Sequence, residues 1–254
     1  MDLERIVKKI FLTVGLDVRK VYGAPIRDSL REAYQHLAKL DYRPNLIIDV
    51  GVATGTFELY ETFPDARYFL VEPLQEFEPA IQSILKKIQG DYLIAAAGDQ
   101  NGEMEINVHP YHLAGSTLMK QEAGAQADGE PRKIRVIQLD DALEQRSLPQ
   151  PSLIKIDVQG AELKVLDGCQ KCLKHADVVV LEVSLFKLMK GIPEIYDVMH
   201  YMKTRGFVAY DIIHGINRPL DNALAQVDIL FVREDGMFRK DHAFCSIEQM
   251  DRVY

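Results

Sequence analysis

Apolar residues recur at helical spacing from Leu3 to about Leu40, first at Leu3, Ile6, Val7, Ile10 and Phe11, then at Leu30, Ala33, Tyr34 and Leu37, with Gly15, Gly23 and Pro25 between. The spacing predicts two or three helices ahead of a sheet. At Leu46 the pattern turns continuous, Leu-Ile-Ile-Asp-Val ending in Gly51, as expected of a strand buried on both faces that enters a tight turn. Comparable runs cover Tyr68 to Val71, Tyr92 to Ala97, Leu153 to Ile156 and Val178 to Val183, with helical stretches such as Phe77 to Ile88 and Ala161 to Leu166 between most of them. This alternation predicts an α/β fold, a doubly wound and mostly parallel sheet with right-handed crossovers. The tail breaks the rhythm. Phe207 to Ile213 and Val227 to Val232 flank a turn-prone stretch, Gly215 to Asn222, too short for a crossover helix, so this last pair is expected to be antiparallel. Gly102 to Val108 and Lys133 to Leu139 alternate as short strands around a polar stretch, His109 to Pro131, read as a long loop on a hairpin-like insertion that covers a site. The expected division is an N-terminal helical extension, residues 1–44, and one domain, residues 45–254, with the insertion at about 102–139.

Composition narrows the function classes. With 47% hydrophobic and 27% charged residues over 254 positions, the chain can bury a real core and is not disordered. A formal net charge of -8 argues against a nucleic-acid surface, which needs a concentrated Lys/Arg field. The start, Met1-Asp2-Leu3-Glu4-Arg5, lacks a signal-peptide pattern, and no segment is long and apolar enough for stable membrane insertion, so a cytoplasmic location is expected. Cys169, Cys172 and Cys245 are too few for a disulfide framework. Cys169 and Cys172 have redox-motif spacing but follow a helix rather than a first strand, and are read as coincidence.

Chemistry concentrates where strands end. Asp49-Val-Gly-Val-Ala-Thr-Gly-Thr56 lies at the turn from the first strand into a helix, where small residues let backbone approach a ligand. Glu72 ends the next strand, at the offset where a carboxylate accepts from a ribose diol. A dinucleotide fingerprint would need a third small residue where Phe57 stands, and Asp49 suits a cationic ligand better than a pyrophosphate. Asp157 ends the Leu153 to Ile156 strand, and Glu182 ends the neighbouring one. Asp157 can hold an amino group, bind a metal, act as a base or merely cap the next helix. With Glu182 it forms a candidate pair for a divalent ion. Glu162, in the first turn of the following helix, is read as structural.

Asp49-Val-Gly51-x-x-x-Gly55-x-Phe57, Glu72-Pro73, Leu139-Asp140-Asp141, Ile154-Lys-Ile-Asp157-Val-Gln-Gly160-Ala-Glu162, the Leu181-Glu182 strand end and Gly206-Phe207 together resemble the FkbM family of methyltransferases, over about Asn45 to Arg233. The resemblance implies a class I fold, S-adenosylmethionine as donor, and methylation of a hydroxyl on a sugar, polyketide or other small metabolite or glycan. The family commonly has Ala-Asn where this chain has Val52-Ala53, and Glu where it has Gln159. The expected cofactor site comprises Asp49, Gly51, Val52, Ala53, Thr54, Gly55, Glu72, Pro73, Ala97, Gly98, Ser116, Asp157 and Gln159. Candidates for the reaction edge are Asp157, Glu182 and His214, the last expected in the turn between the final strands, with His109 and His112 as further bases. The remaining expectations are a small-molecule or glycan acceptor, no nucleic acid, and a homodimer, with the amphipathic Leu3-to-Phe11 helix covering either the sheet or a dimer partner. The alternatives are a cofactor-binding homologue without turnover and a nucleotide-dependent oxidoreductase.

Overall fold

The computed structural model describes residues 27–109, 113–116 and 129–246, together with residues 7 and 10–13. Residues 28–242 make one compact unit, and residues 1–27 with 243–254 group as another, in which residues 7 and 10–13 are helical. The larger unit opens with α1 (Leu30–Lys39), started by the Ser29 hydroxyl, which accepts from the Glu32 N–H, and packed through Ala33, Tyr34 and Leu37. Then follow β1 (Leu46–Val50), α2 (Phe57–Thr62), β2 (Arg67–Glu72), a 3-10 turn (Gln75–Phe77), α3 (Glu78–Leu85) and β3 (Gln89–Ile94). Beyond an insertion come α4 (Leu139–Gln145), β7 (Leu153–Ile156), α5 (Glu162–Asp167), α6 (Gln170–His175), β8 (Val178–Ser184), α7 (Ile195–Thr204), β9 (Phe207–Asn217) and β10 (Leu224–Arg233).

These strands form a seven-stranded sheet in the order β3-β2-β1-β7-β8-β10-β9. The first five are parallel, and β10 runs antiparallel to both β8 and β9. β1 and β7 are buried along their whole length, which is why their sequences are continuous apolar runs rather than alternating ones. One face of the sheet carries α1, α2 and α3 over Ile47, Tyr68, Leu70, Leu153 and Val180, and the other carries α4 to α7 over Ile48, Ile154, Val179 and Leu181. The strand order reverses between β1 and β7, the position where open α/β sheets bind ligands beyond their carboxyl ends.

Three expectations are corrected. The run Tyr92 to Ala97 is not one strand: β3 ends at Ile94, and Ala96–Ala97 (β4) joins Gly102–Val108 (β5) and Glu130–Ile137 (β6) in a separate three-stranded sheet of order β4-β6-β5. The change of sheet takes one residue, because the Ala95 N–H still donates to the Glu72 carbonyl (3.0 Å), whereas Ala96 and Ala97 pair with Val136 and Ile137. The strand expected to reach Leu139 stops at Ile137, since Leu139 opens α4. Gly215 to Asn222 is not all turn. β9 continues to Asn217, and the turn is closed by the Arg218–Asp221 ion pair (2.6 Å) and by the Asn222 N–H to the Arg218 carbonyl (3.0 Å). His214 therefore lies within a strand, in register with Val227.

Candidate active site

Two residues shape the ground at the reversal point. Gly51 follows β1 with φ +78°, and a Cβ there would stand 1.8 Å from the Asp157 carbonyl oxygen, so only glycine lets the ends of β1 and β7 close up. They are tied by the Asp157 N–H to the Val50 carbonyl (3.0 Å), while the Gly51 N–H donates to Val71 on the other side (2.9 Å). Ala53 is also left-handed, with φ +45°. The resulting turn stands between two cavities.

The first, of about 190 Å³, is walled by Gly51, Ala53, Glu72, Pro73, Asp157 and Gln159 on the side of the large sheet. The small sheet and its loop contribute Ala96, Ala97, Ile106, Leu113 and Ser116 to the opposite wall. Glu72 is buried. Its carboxylate accepts from the Ala53 N–H (2.9 Å) and the Leu74 N–H (3.0 Å), and burial raises its pKa against the pull of those donors. The Ser116 hydroxyl accepts from the His109 N–H (3.1 Å), fixing the entry to the loop.

The second cavity, of about 240 Å³, lies beyond the turn and is lined by Thr54, Glu58, Lys155, Asp157, Glu182 and Asp228, among others. Strand register explains its charge. Asp49 pairs with Lys155, Lys155 with Val180, and Glu182 with Asp228. With the period of two along β8, four adjacent strands each put one ionisable group on the same face. Lys155 is buried, 3.6 Å from Asp49 Oδ1 and 3.3 Å from Asp157 Oδ2. Burial alone would lower its pKa, but the carboxylates of Asp157, Asp49 and Asp228 outweigh it and hold the ammonium above its ordinary value. The Gln159 amide, held at φ +56°, spans two acids, Asp157 Oδ1 at 3.0 Å and Glu182 Oε2 at 2.9 Å. Burial, with Asp157 and Glu162 adding to it, pushes Glu182 well above the carboxylate range, so Glu182 holds its proton at neutral pH.

Glu162 is the support beneath this edge. It is buried and accepts from the N–H groups of Val158 (3.2 Å) and Gly160 (3.0 Å), so this side chain, and not Asp157, serves the start of α5. Burial raises its pKa from 4.5 to about 7. The folded state therefore binds the proton more tightly than the unfolded one. The stability this provides is fully present below about pH 4.5 and is lost as pH rises through about 7, a change on the order of 3 kcal/mol. Glu162→Gln is expected to flatten that stretch of the thermal-midpoint-against-pH curve. Curves for the two proteins that run parallel from pH 5 to 8 would refute it.

The expected residues do not all reach one place. Gly51, Ala53, Glu72, Pro73, Ala97, Ser116, Asp157 and Gln159 line the first cavity. Val52, Thr54 and Gly55 line the second, because the left-handed turn aims them away from Glu72. Gly98 lines neither: it packs under α5, where a Cβ on Gly168 would stand 1.9 Å from its carbonyl oxygen. Asp49 is fully buried and lines neither. Its Oδ2 accepts from the Tyr60 hydroxyl (2.5 Å), and Lys155 is its counter-charge, so it supports the turn from below.

A metal at Asp157 and Glu182 is not supported. Among the described residues no group of three or more His, Cys, Asp or Glu is placed to hold an ion, and the pair faces donors on Gln159 and Lys155 rather than an open coordination position. The His214 side chain, His112 and most of the His109 to Pro131 stretch lie outside what the structure describes. Cys169 and Cys172 are buried free thiols, and burial pushes both well above the usual thiol range. No described helix is long and apolar enough to cross a membrane. Sequence reasoning assigned no role to Lys155 or Asp228. A lysine inside the otherwise apolar run Leu-Ile-Lys-Ile was the available signal for the first.

A parallel sheet that reverses at β1/β7, an antiparallel β10 inserted between β8 and β9, and cavities at the reversal define a class I methyltransferase fold. Residues 49–209, well over half of the chain, match the Methyltransferase FkbM domain, and the chain belongs to this family. The hexuronic acid methyltransferase AglP of Haloferax volcanii is 24% identical over 139 residues, 55% of this chain and 56% of that protein, so the chain spans just over half the length of this relative. Among solved structures, methyltransferase FkbM from Methylobacillus flagellatus KT matches at 16% identity and TM-score 0.49, covering 82% of this chain and 49% of that one. Magnesium protoporphyrin IX methyltransferase (ChlM) from Synechocystis PCC 6803 with bound SAM matches at 12% identity and TM-score 0.44, covering 92% and 98%.

Proposed function

We propose that this protein is an S-adenosylmethionine-dependent methyltransferase that methylates an oxygen of a small metabolite, sugar or glycan. The observation that carries the reading is the buried Glu72 carboxylate on the wall of an otherwise largely apolar cavity at the strand-order reversal, next to the Gly51–Asp157 contact. The residues fit the cofactor. Glu72 keeps acceptor capacity for a ribose diol after its two backbone bonds, and Pro73, Leu74, Phe77 and Ile106 offer an apolar bed for a base. Asp157 and Gln159 also line this cavity, and a carboxylate beside an amide oxygen supports a contact there with a cationic amino-acid end. When bound, the cofactor supplies an electrophilic methyl group. The chain's own work is positioning, because methyl transfer needs the acceptor oxygen close, in line and deprotonated. Family membership supports the reaction class, and AglP, a hexuronic acid methyltransferase by name, supports a sugar as acceptor.

Calorimetry tests the reading. S-adenosylmethionine and its demethylated product should bind and NAD or NADP should not; the reverse would end it. Glu72→Gln keeps the side chain's size and one acceptor oxygen but removes its charge, and is expected to weaken product binding about 10- to 100-fold, the worth of about 1.5 to 3 kcal/mol for charge-assisted hydrogen bonds. Unchanged affinity in a folded variant would take the ribose role from Glu72.

A further inference from the structure

The second cavity contains a proton inventory that the reading above does not use. Three of the four acids on its wall, Asp157, Glu182 and Asp228, differ in their partners. Asp157 has one oxygen on the Gln159 amide and the other beside the Lys155 ammonium. Glu182 is bonded to the same amide and carries a proton, for the reasons given above. Asp228 differs from both. It is half-buried on the cavity wall, and among the described residues no protein group donates a hydrogen bond to it. Facing it are Lys155 and Asp157 from the end of β7, Glu182 from β8, Glu58 from α2 and the buried Tyr34 phenol of α1. Burial first and Asp157 second push its pKa up to about 6, which leaves it ionised at neutral pH yet basic enough to take a proton.

Resting on the methyltransferase reading, we propose that the acceptor enters this second cavity as an uncharged alcohol and that Asp228 is the catalytic residue that receives its proton. The acceptor oxygen gains the methyl group and loses its hydrogen to an Asp228 oxygen, and the broken carbon–sulfur bond leaves its electron pair on sulfur. The positive charge of the donor and the negative charge of Asp228 vanish together, so the net charge summed over the two cavities, which share Gly51, Ala53 and Asp157 as walls, does not change during the step. Glu182, a protonated neighbour one strand away, is placed to hold a second hydroxyl of a polyol. An anionic acceptor fits poorly. Glu58, Asp157 and Asp228 face the space, and the one cation there among the described residues, Lys155, is already held between Asp49 and Asp157. This sets the chain apart from what the name of its hexuronic acid relative suggests.

The test uses the full chain with S-adenosylmethionine and two sets of probes: neutral methyl glycosides of hexoses, deoxyhexoses and pentoses, and methyl glucuronide. Demethylated cofactor is measured as the product. Transfer to neutral glycosides is expected, with a turnover that falls below about pH 6, the value to which Asp228 is raised. Asp228→Asn and Asp228→Ala should bind the demethylated cofactor within twofold of the unmutated protein, which also reports their folding. Both should lose about 10²- to 10⁴-fold in turnover, the range for a general base, and the acid limb should disappear. Transfer to methyl glucuronide alone, transfer to no neutral glycoside, or full turnover in the variants would each overturn the proposal. If neither adenosyl compound bound the unmutated protein, the methyltransferase reading itself would fall, a result distinct from all of these.

Discussion

Gly51→Ala is expected to destabilise the protein by on the order of 3 to 5 kcal/mol and to abolish binding of the demethylated cofactor. Two separable causes act at this residue. A left-handed conformation, here φ +78°, costs an L-residue about 1 to 2 kcal/mol by itself. The methyl group also meets main chain at 1.8 Å, at the Asp157 carbonyl oxygen, and a carbonyl locked in the β1–β7 junction cannot swing aside as a side-chain end could. Relief requires prising β7 from β1, which breaks the Asp157 N–H bond to Val50 and displaces both cavities. Gly191→Ala isolates the first cause, since Gly191 has φ +79° and nothing within 4 Å of the added carbon; it should cost only about 1 to 2 kcal/mol. Urea unfolding and calorimetry on both variants decide the matter. A Gly51→Ala protein no less stable than Gly191→Ala, or one that binds the product normally, would mean that the junction yields at little cost.

Lys155→Met comes next in size. Asp49 has no surface exposure, its Oδ1 has no hydrogen-bond partner among the described residues, and the Lys155 ammonium 3.6 Å away balances its charge. Removing one member of such a buried pair costs about 3 to 5 kcal/mol because the other charge is left uncompensated. At about 2 to 4 °C per kcal/mol for a chain of this size, the thermal midpoint should drop by on the order of 10 °C. Adding Asp49→Asn to Lys155→Met should recover most of the loss, because the stranded charge goes with it. If the double variant proved less stable than Lys155→Met alone, the two residues would not be acting as a pair. Turnover should not return in the double variant, since Asp157 and Asp228 would remain without the nearby cation that sets their balance.

How much of this was legible beforehand depended on the range of the interactions concerned. β1, β2, β7 and β8 could be read because strands buried on both faces leave unbroken apolar runs. Gly51 and Glu72 could be read because their roles follow from strand ends a short distance apart in sequence. The break after Ile94 could not, since Ala95, Ala96 and Ala97 are apolar whichever sheet they join, and the choice is made by partners on β6 some forty positions later. Asp49 was misjudged for a similar reason. An acid before a glycine turn suits a cationic ligand, but the cation that claims it is Lys155, over a hundred residues away and next to it only once β1 and β7 pair. Asp228 left no local mark, sitting in an alternating strand where an exposed acid is ordinary, and its significance comes from Glu182 lying opposite.

The one-residue passage at Ala95 divides the molecule into a part that must be kept and a part that can be exchanged. Everything that holds charge in balance, from Asp49 through Lys155 and Glu182 to Asp228, is anchored in the parallel sheet and its antiparallel neighbour, where altering one residue unsettles three others. The small sheet touches the first cavity through Ala96, Ala97 and Ile106. Its other face, at Glu103, Glu105, Lys133 and Arg135, is exposed to solvent. Substitutions on that outer face are expected to leave the charged row undisturbed, because none of these side chains lines the second cavity. The joint at Ala95 is therefore where the chain leaves the strands that carry the charged row for a sheet that walls only the first cavity.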